Sequence, residues 1–392
     1  MRVVVSNYRR FWAFRMAEEL ERHNALKYLF TQEPRRKEDA IPKDKIIGLN
    51  YLRLTKGLEI SSYFIPFIRG VSKWVDYKKR RVHDRFVSEY IGGIDFDVLI
   101  TWPLNPLTIK KAKERDILTV VDSGSTHPNF QKKILMEENK LIFGKEIQTA
   151  PESIIMQEIA DYNSCDLILV PSHFVKKTFV ANGIEESKII VVPFGVDTDI
   201  FKRKRKRDKV FRIVWCGTIC IRKGIHYLLR AFHELAIPNS ELLLIGGISE
   251  EMKSFVERYK AQNIIYKGPV AQKSLPELYS QGSIFVHPSL EEGLSLVQLE
   301  AMACGLPIIC TTNTGGDEII KDGVEGFIIP IRDVGALKKK INYLYENPIK
   351  LKEMSNAAVR RANKYTWKHY GDNLIKNLKK AVKDKKMHKI IK

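Results

Sequence analysis

The strongest constraint on this chain is its alternation of short apolar runs with stretches of helical periodicity. In the first half the runs are Arg2–Val5, Val98–Thr101, Leu118–Asp122, Leu167–Val170 and Ile189–Val192. In the second they are Phe211–Gly217, Leu242–Ile245, Ile264–Tyr266, Ile284–Val286, Ile308–Cys310 and Phe327–Ile329. Helices are expected between them over Trp12–Arg22, over Leu107–Arg115 and, as one long element, through Ile134–Ser164. Such alternation predicts an α/β fold of doubly wound parallel sheets. Ligands of these folds bind at the carboxyl ends of the strands, so the loops after the runs are where function is sought.

One loop stands out. After Ile284–Val286 the chain breaks into the polar segment His287–Glu292, turns at Gly293 and enters a helix. Ser295, with Gln298 three residues on, reads as a capping box. Gly305 and Pro307 are stop signals, so the helix is about nine residues long. Leu296, Leu299 and Ala303 form its buried stripe and Glu300 falls at the stripe's edge. An ionised carboxylate there is costly unless it is hydrogen-bonded. Either a backbone amide or a basic residue holds it, or it accepts from a ligand's hydroxyls. Glu292 lies in the preceding loop, so both carboxylates can face one ligand lying across the helix N-terminus, whose N–H groups suit a phosphate. Two carboxylates for hydroxyls and a helix end for phosphate describe a sugar-nucleotide site.

The run Glu292-Gly-Leu-Ser-Leu-Val-Gln-Leu-Glu300-Ala-Met-Ala-Cys-Gly-Leu-Pro307, with Gly315-Gly316 and Glu318 beyond it, closely resembles the acidic signature of the retaining glycosyltransferases of family 4. The resemblance implies a GT-B fold: two Rossmann-like domains facing across a cleft, with the last helix, from Trp367, crossing back to the first domain. Residues 1–200, with about 371–392 crossing back, are then the acceptor-binding domain, and residues 201–370 the nucleotide-sugar domain.

Within that frame further residues acquire roles. Gly217 ends the strand that opens the second domain, and Arg222 and Lys223 follow where a turn meets a helix. Adjacent cations there are placed to neutralise a diphosphate. As plain first-turn cations they would be unfavourable without an anion. The family's turn usually has Arg directly after its first glycine, where this chain has Thr218; Arg222 is read as supplying that guanidinium. Gly268-Pro-Val270 resembles the loop whose backbone reads the nucleobase, which leaves UDP, GDP and ADP open. His127, in Asp122-Ser-Gly-Ser-Thr-His127-Pro, follows a strand directly and corresponds to a histidine in many relatives. It either touches the donor sugar or acceptor or is structural. Two departures leave the acceptor undefined: Ser6–Phe11 replaces the family's glycine pair, and Phe194 stands where Asn is commoner.

The mechanism implied is transfer of one sugar from a nucleotide diphosphate-sugar to a saccharide or lipid-linked acceptor. Glu300 would hold the ribose, Arg222 and Lys223 the diphosphate, and Glu292 the sugar hydroxyls. Gly293, Leu294 and Ser295 would offer main-chain N–H groups. No cofactor and no metal are called for: the cations are side chains, and no Asp-x-Asp motif is read in the cleft segments. Alternatives are an epimerase or phosphorylase of the same fold.

The net charge of +20 invites a polyanionic partner, either nucleic acid or an anionic membrane surface. It concentrates in Lys78–Arg81, in Lys202–Arg207 and in the tail from Lys376. Nucleic acid is set aside because no reading module or pattern of stacking aromatics accompanies the charge, and Lys202–Lys209 is read as a solvated linker. Phe64, Phe67, Ile68, Val71, Trp74 and Val75 recur at helical spacing with basic residues between. They suit a helix lying on a membrane surface, or a domain helix with its apolar face in the core. The apolar share of 44% is that of a globular protein, and no run approaches the ~20 residues needed to span a bilayer. The opening Met-Arg-Val-Val-Val-Ser reads as a first buried strand rather than a secretory signal. The 5 cysteines lack zinc-site spacing. They are read as reduced core residues of a cytoplasmic protein, peripheral on the membrane if the basic helix binds there.

Overall fold

A computed structural model of the chain describes residues 1–37, 39–48, 66–148 and 150–391, side chains excepted over 66–76 and 388–391. Seven strands, β1 (Val3–Ser6), β2 (Leu26–Phe30), β3 (Ile46–Ile47), β4 (Val98–Thr101), β5 (Leu118–Asp122), β6 (Leu167–Val170) and β7 (Ile189–Val191), form one parallel sheet in the order 3-2-1-4-5-6-7. Six more, β8 (Phe211–Cys216), β9 (Ser240–Ile245), β10 (Ile264–Gly268), β11 (Ile284–His287), β12 (Ile308–Thr311) and β13 (Gly326–Ile329), form a second in the order 10-9-8-11-12-13. In each sheet the winding reverses beside the first strand, between β1 and β4 and between β8 and β11. A crevice opens there above the strands' carboxyl ends. The two crevices face each other, because residues from the loops after β1, β4, β5, β8 and β11 line common cavities.

The last helix, Trp367–Ile391, packs back on the helix Ala13–Arg22 and on β5. Leu374, Ile375 and Leu378 join the core of the first sheet. Lys385 donates to the carbonyl of Ile117 at 3.0 Å and to Asp166 at 3.1 Å. On the approach to it, the carbonyl of Tyr365 accepts from Val196 N at 2.8 Å.

Several expectations need correction. The long helix through Ile134–Ser164 is two, Pro128–Phe143 and Glu152–Ser164, parted at Gly144 and Pro151. β2 and β3 were not legible: Lys27 interrupts the apolar run of β2, and β3 is only 2 residues long. Ser295 caps nothing with its side chain, and Gln298 donates instead to the carbonyl of Thr314 at 3.3 Å, so the capping box is not formed. The helix Leu296–Ala303 is no amphipath: Gln298, Glu300, Ala301 and Met302 are buried alongside Leu299 and Ala303, while Leu296 is only partly so. The run Lys202–Lys209 is exposed but anchored, with Arg203 on Ser355 and Asn356, Lys204 on Ser280 and Lys206 on Gln281. A helix does cover Pro66–Tyr90, but the apolar side chains read as a membrane face lie outside the described residues. Among described residues no helix is long and apolar enough to cross a membrane. All five cysteines are free thiols; Cys216 and Cys220 are only partly buried.

Candidate active site

Arg222 and Lys223 close a tight turn, Ile221–Lys223, that leads through Gly224 into the helix Ile225–Leu235. Gly224 has φ +64°, and a Cβ there would lie 2.0 Å from the carbonyl oxygen of Pro288. Only glycine lets this turn lie flat on the loop after β11. The contact brings both cations against the acidic pair Glu291–Glu292. Arg222 donates to Glu292 at 3.2 Å and to the Glu291 carbonyl at 3.0 Å, and Lys223 bonds the same Glu292 oxygen. Burial, with the Arg222 charge beside it, pulls the Lys223 ammonium down to about 7.

Glu291, which sequence reasoning passed over, is the residue that ties the lobes together. It is fully buried and accepts from Ser125 Oγ at 2.8 Å, Thr126 Oγ1 at 2.7 Å, Thr126 N at 3.2 Å and Gln131 Nε2 at 2.8 Å, all in the loop and helix after β5. Burial pushes its carboxyl up, but Arg222 and these donors outweigh that and hold it below the usual range. Its only sequence signal was adjacency to Glu292. A second tie lies deeper: Glu138 of the helix Pro128–Phe143 accepts from Tyr227 at 2.7 Å and Arg332 at 2.6 Å and bonds His226 at 2.8 Å.

Glu300 is 7% exposed and meets neither a backbone amide nor a base. Gln272 Nε2 lies 3.3 Å and Tyr279 OH 3.4 Å from its oxygens. Burial pushes it up to about 7 against these two weak donors. It lines a cavity of about 640 Å³ with Gln272, Lys273, Leu296 and, from the first lobe, Phe11, Trp12 and Arg15. Glu292 and Arg222 line a second, of about 510 Å³, walled on the other side by the loops after β1, β4 and β5. Phe11 and Trp12 border both, so the two carboxylates face adjoining compartments rather than a single chamber.

The other expected residues sit behind these walls. Gly217, Val270, Gly293, Leu294 and Ser295 line neither cavity; Ala271, Gln272 and Lys273 take the place expected of Val270. Gly293 is pressed against the first lobe: a Cβ there would lie 2.0 Å from the Gly124 carbonyl oxygen, and its own carbonyl accepts from Ser172 at 2.8 Å. His127 is 2% exposed, lines neither cavity, and caps its helix by accepting from Asn129 N at 3.3 Å. Burial lowers it to about 4. A strand end leading straight into a helix needs a cap, and this histidine supplies it. One Asp-x-Asp triplet, Asp197-Thr-Asp199, does reach the cleft, correcting the sequence reading. Asp197 is occupied by Arg15 at 3.1 Å and by the N–H groups of Asp199 and Ile200. Among described residues no three His, Cys, Asp or Glu side chains gather as metal ligands.

Residues 196–361 match the family described as glycosyl transferases group 1. The match falls on the second lobe. A GDP-mannose-dependent alpha-(1-6)-phosphatidylinositol monomannoside mannosyltransferase of Mycolicibacterium smegmatis is 25% identical over 239 residues, 55% of this chain and 63% of that protein. The capsular polysaccharide biosynthesis glycosyltransferase CapM of Staphylococcus aureus is 29% identical over 209 residues, 48% of this chain and 54% of that one. The chain thus spans roughly half to three-fifths of the length of these relatives. Solved structures extend the likeness to the whole fold, which is of GT-B type. Sucrose-phosphate synthase from Thermosynechococcus elongatus superposes with a TM-score of 0.74 at 17% identity, covering 97% of this chain and 99% of that one. Anabaena Alr3699/HepE, solved with UDP and glucose, gives 0.69 at 14%, covering 97% and 100%.

Proposed function

We propose that the protein is a retaining glycosyltransferase, moving one sugar from a nucleotide diphosphate-sugar to an acceptor hydroxyl in the cleft. Residues 201–370 are the donor side and residues 1–200, with the last helix, the acceptor side. What carries the reading is the cluster Arg222–Lys223–Glu292 at the reversal point of the second sheet, with Glu300 one compartment away.

Glu300, nearly dry and weakly held, has lone pairs to offer ribose hydroxyls. Lys223 and Arg222 share Glu292 as a counter-ion, so an incoming diphosphate takes that carboxylate's place and releases Glu292 toward the sugar's hydroxyls. As the glycosidic bond breaks, charge grows on the departing phosphate. The two cations, already positioned and partly desolvated, stabilise that charge more than they stabilise the ground state. The phosphate accepts the acceptor's proton as the new bond forms on the face the nucleotide leaves. Because protein cations do this work, turnover should persist with a chelator present.

A panel of UDP-, GDP- and ADP-sugars with mixed saccharide acceptors tests the proposal. One donor should be consumed faster with acceptor than without, and the product's anomeric proton coupling should match the donor's. Donor consumption that no acceptor accelerates would overturn transfer, and an inverted coupling would overturn retention.

A further inference from the structure

The first-lobe wall of the second cavity has a composition that donor binding does not use. Tyr8, Phe11, Trp12 and Trp102 supply rings there; those of Trp12 and Trp102 lie 5.3 Å apart, and Phe11 is 63% exposed. The guanidinium groups of Arg9 and Arg80 both lie beside the Tyr8 ring, 6.0 and 5.7 Å from its centroid. Two further donors belong to residues of the same lining. Asn7 is 3% exposed and its side-chain nitrogen finds no hydrogen-bond partner among the described residues; the indole N–H of Trp102 is equally unmatched. A wall whose unsatisfied atoms are all N–H donors, beside two guanidinium groups, suits oxygens that only accept.

Arg80 is held where it is. One turn on, fully buried His83 bonds Ser6 at 3.2 Å and Gln32 at 2.9 Å, fixing the helix to the first sheet. Asp84 accepts from Leu107 N at 3.1 Å, Thr108 N at 2.9 Å and Thr108 Oγ1 at 2.7 Å. The acids in the same lining are engaged. Trp12 donates to Asp122 at 2.7 Å, and Glu292 is held by Lys223 and Arg222. Glu158 lies within reach of the Arg80 charge, and burial pushes it up to about 7. The basic run Lys78–Arg81, read from sequence as a pull on a polyanionic partner, thus sends one member into the cleft.

We infer that this wall is a subsite for a hydroxylated ring bearing a phosphate or carboxylate group, the ring lying on the aromatic residues and the anion on Arg9, Arg80, Asn7 and Trp102. Naming the occupant as the sugar acceptor rests on the transferase reading; the anion site does not. The test is calorimetry on the full chain, with the nucleoside diphosphate it binds present, against glucose 6-phosphate, glucuronate, glucose and inorganic phosphate. The anionic sugars should bind about tenfold or more tighter than glucose, the range of one charge-assisted hydrogen bond. Arg80→Gln and Arg9→Gln should each remove most of that advantage while leaving nucleoside diphosphate affinity unchanged. Equal binding of glucose, inorganic phosphate binding as well as the sugar phosphate, or an undiminished preference in both variants would overturn the inference. Co-sedimentation with phosphatidylinositol vesicles that Arg80→Gln abolishes would assign the anion to a lipid headgroup, and its absence to a soluble acceptor. Nucleoside diphosphate binding without anionic-sugar binding would sink this inference alone. Anionic-sugar binding without any nucleoside diphosphate binding would sink the transferase reading alone.

Discussion

Replacing Glu292 by Gln separates two roles that a single carboxylate combines. Its Oε2 bonds Lys223 and lies 3.2 Å from Arg222, and the three side chains are 16%, 11% and 31% exposed. At an effective dielectric of about 20, a unit pair at such a distance attracts by roughly 5 kcal/mol, of which desolvation leaves about 1.5–3 net. A diphosphate has to displace this internal anion. Glu292→Gln removes the competitor, so a nucleoside diphosphate lacking its sugar should bind about 1–2 kcal/mol tighter, roughly 5- to 30-fold. The sugar nucleotide should gain less, because the hydroxyl contacts are lost, and turnover should fall. Calorimetry near pH 6, where Lys223 carries its charge, measures the first effect, and steady-state kinetics the second. Weaker or unchanged diphosphate affinity in a folded variant would refute the idea that Glu292 occupies the phosphate's place.

Lys223→Ala and Arg222→Ala should each weaken nucleoside diphosphate binding by about 1.5–3 kcal/mol; calorimetric affinity equal to wild type would remove them from the phosphate site. Donor affinity should peak near pH 7. Lys223, lowered to about 7, is charged below that value, whereas Glu300, raised to about 7, is ionised above it, so each limb falls by at most tenfold per pH unit. Glu300→Gln should flatten the acid limb alone, and a flat profile in the wild type counts against both assignments. Glu291→Gln should destabilise the fold by about 2–4 kcal/mol, since it weakens a buried carboxylate's bonds to Arg222 and three first-lobe side chains; an unmoved denaturant midpoint would contradict its role as a tie. On anionic vesicles at low salt the chain is expected to pellet, and Trp74→Glu to reduce this. Absence of both proteins from the pellet would end the membrane reading.

Strand periodicity was legible because buried parallel strands are continuous apolar runs: β4, β5 and β6 lie where those runs predicted. β2 was missed because Lys27 and Tyr28 break its run, and the long helix was misread because apolar spacing continues across Gly144. The site was legible in part. Glu292, Glu300, Arg222 and Lys223 each reach the cleft walls or stand directly behind them, yet spacing along a loop and the helix it enters could not reveal that their two acids face different compartments. His127 carries a role that its position did not announce: a polar residue at a strand end also caps the helix that follows.

Sequence by itself determined the class of fold and the short segments that bear charge at strand ends, because both follow from local period and from residue type within a few positions. Only the tertiary structure decided which charges neutralise each other and which remain to meet a ligand. Glu291 spends its lone pairs on Ser125, Thr126 and Gln131, more than a hundred residues earlier, while its neighbour Glu292 turns to Lys223. Two adjacent glutamates have the same intrinsic chemistry; what differs is the lobe each faces, and that is set by packing between segments far apart in the chain.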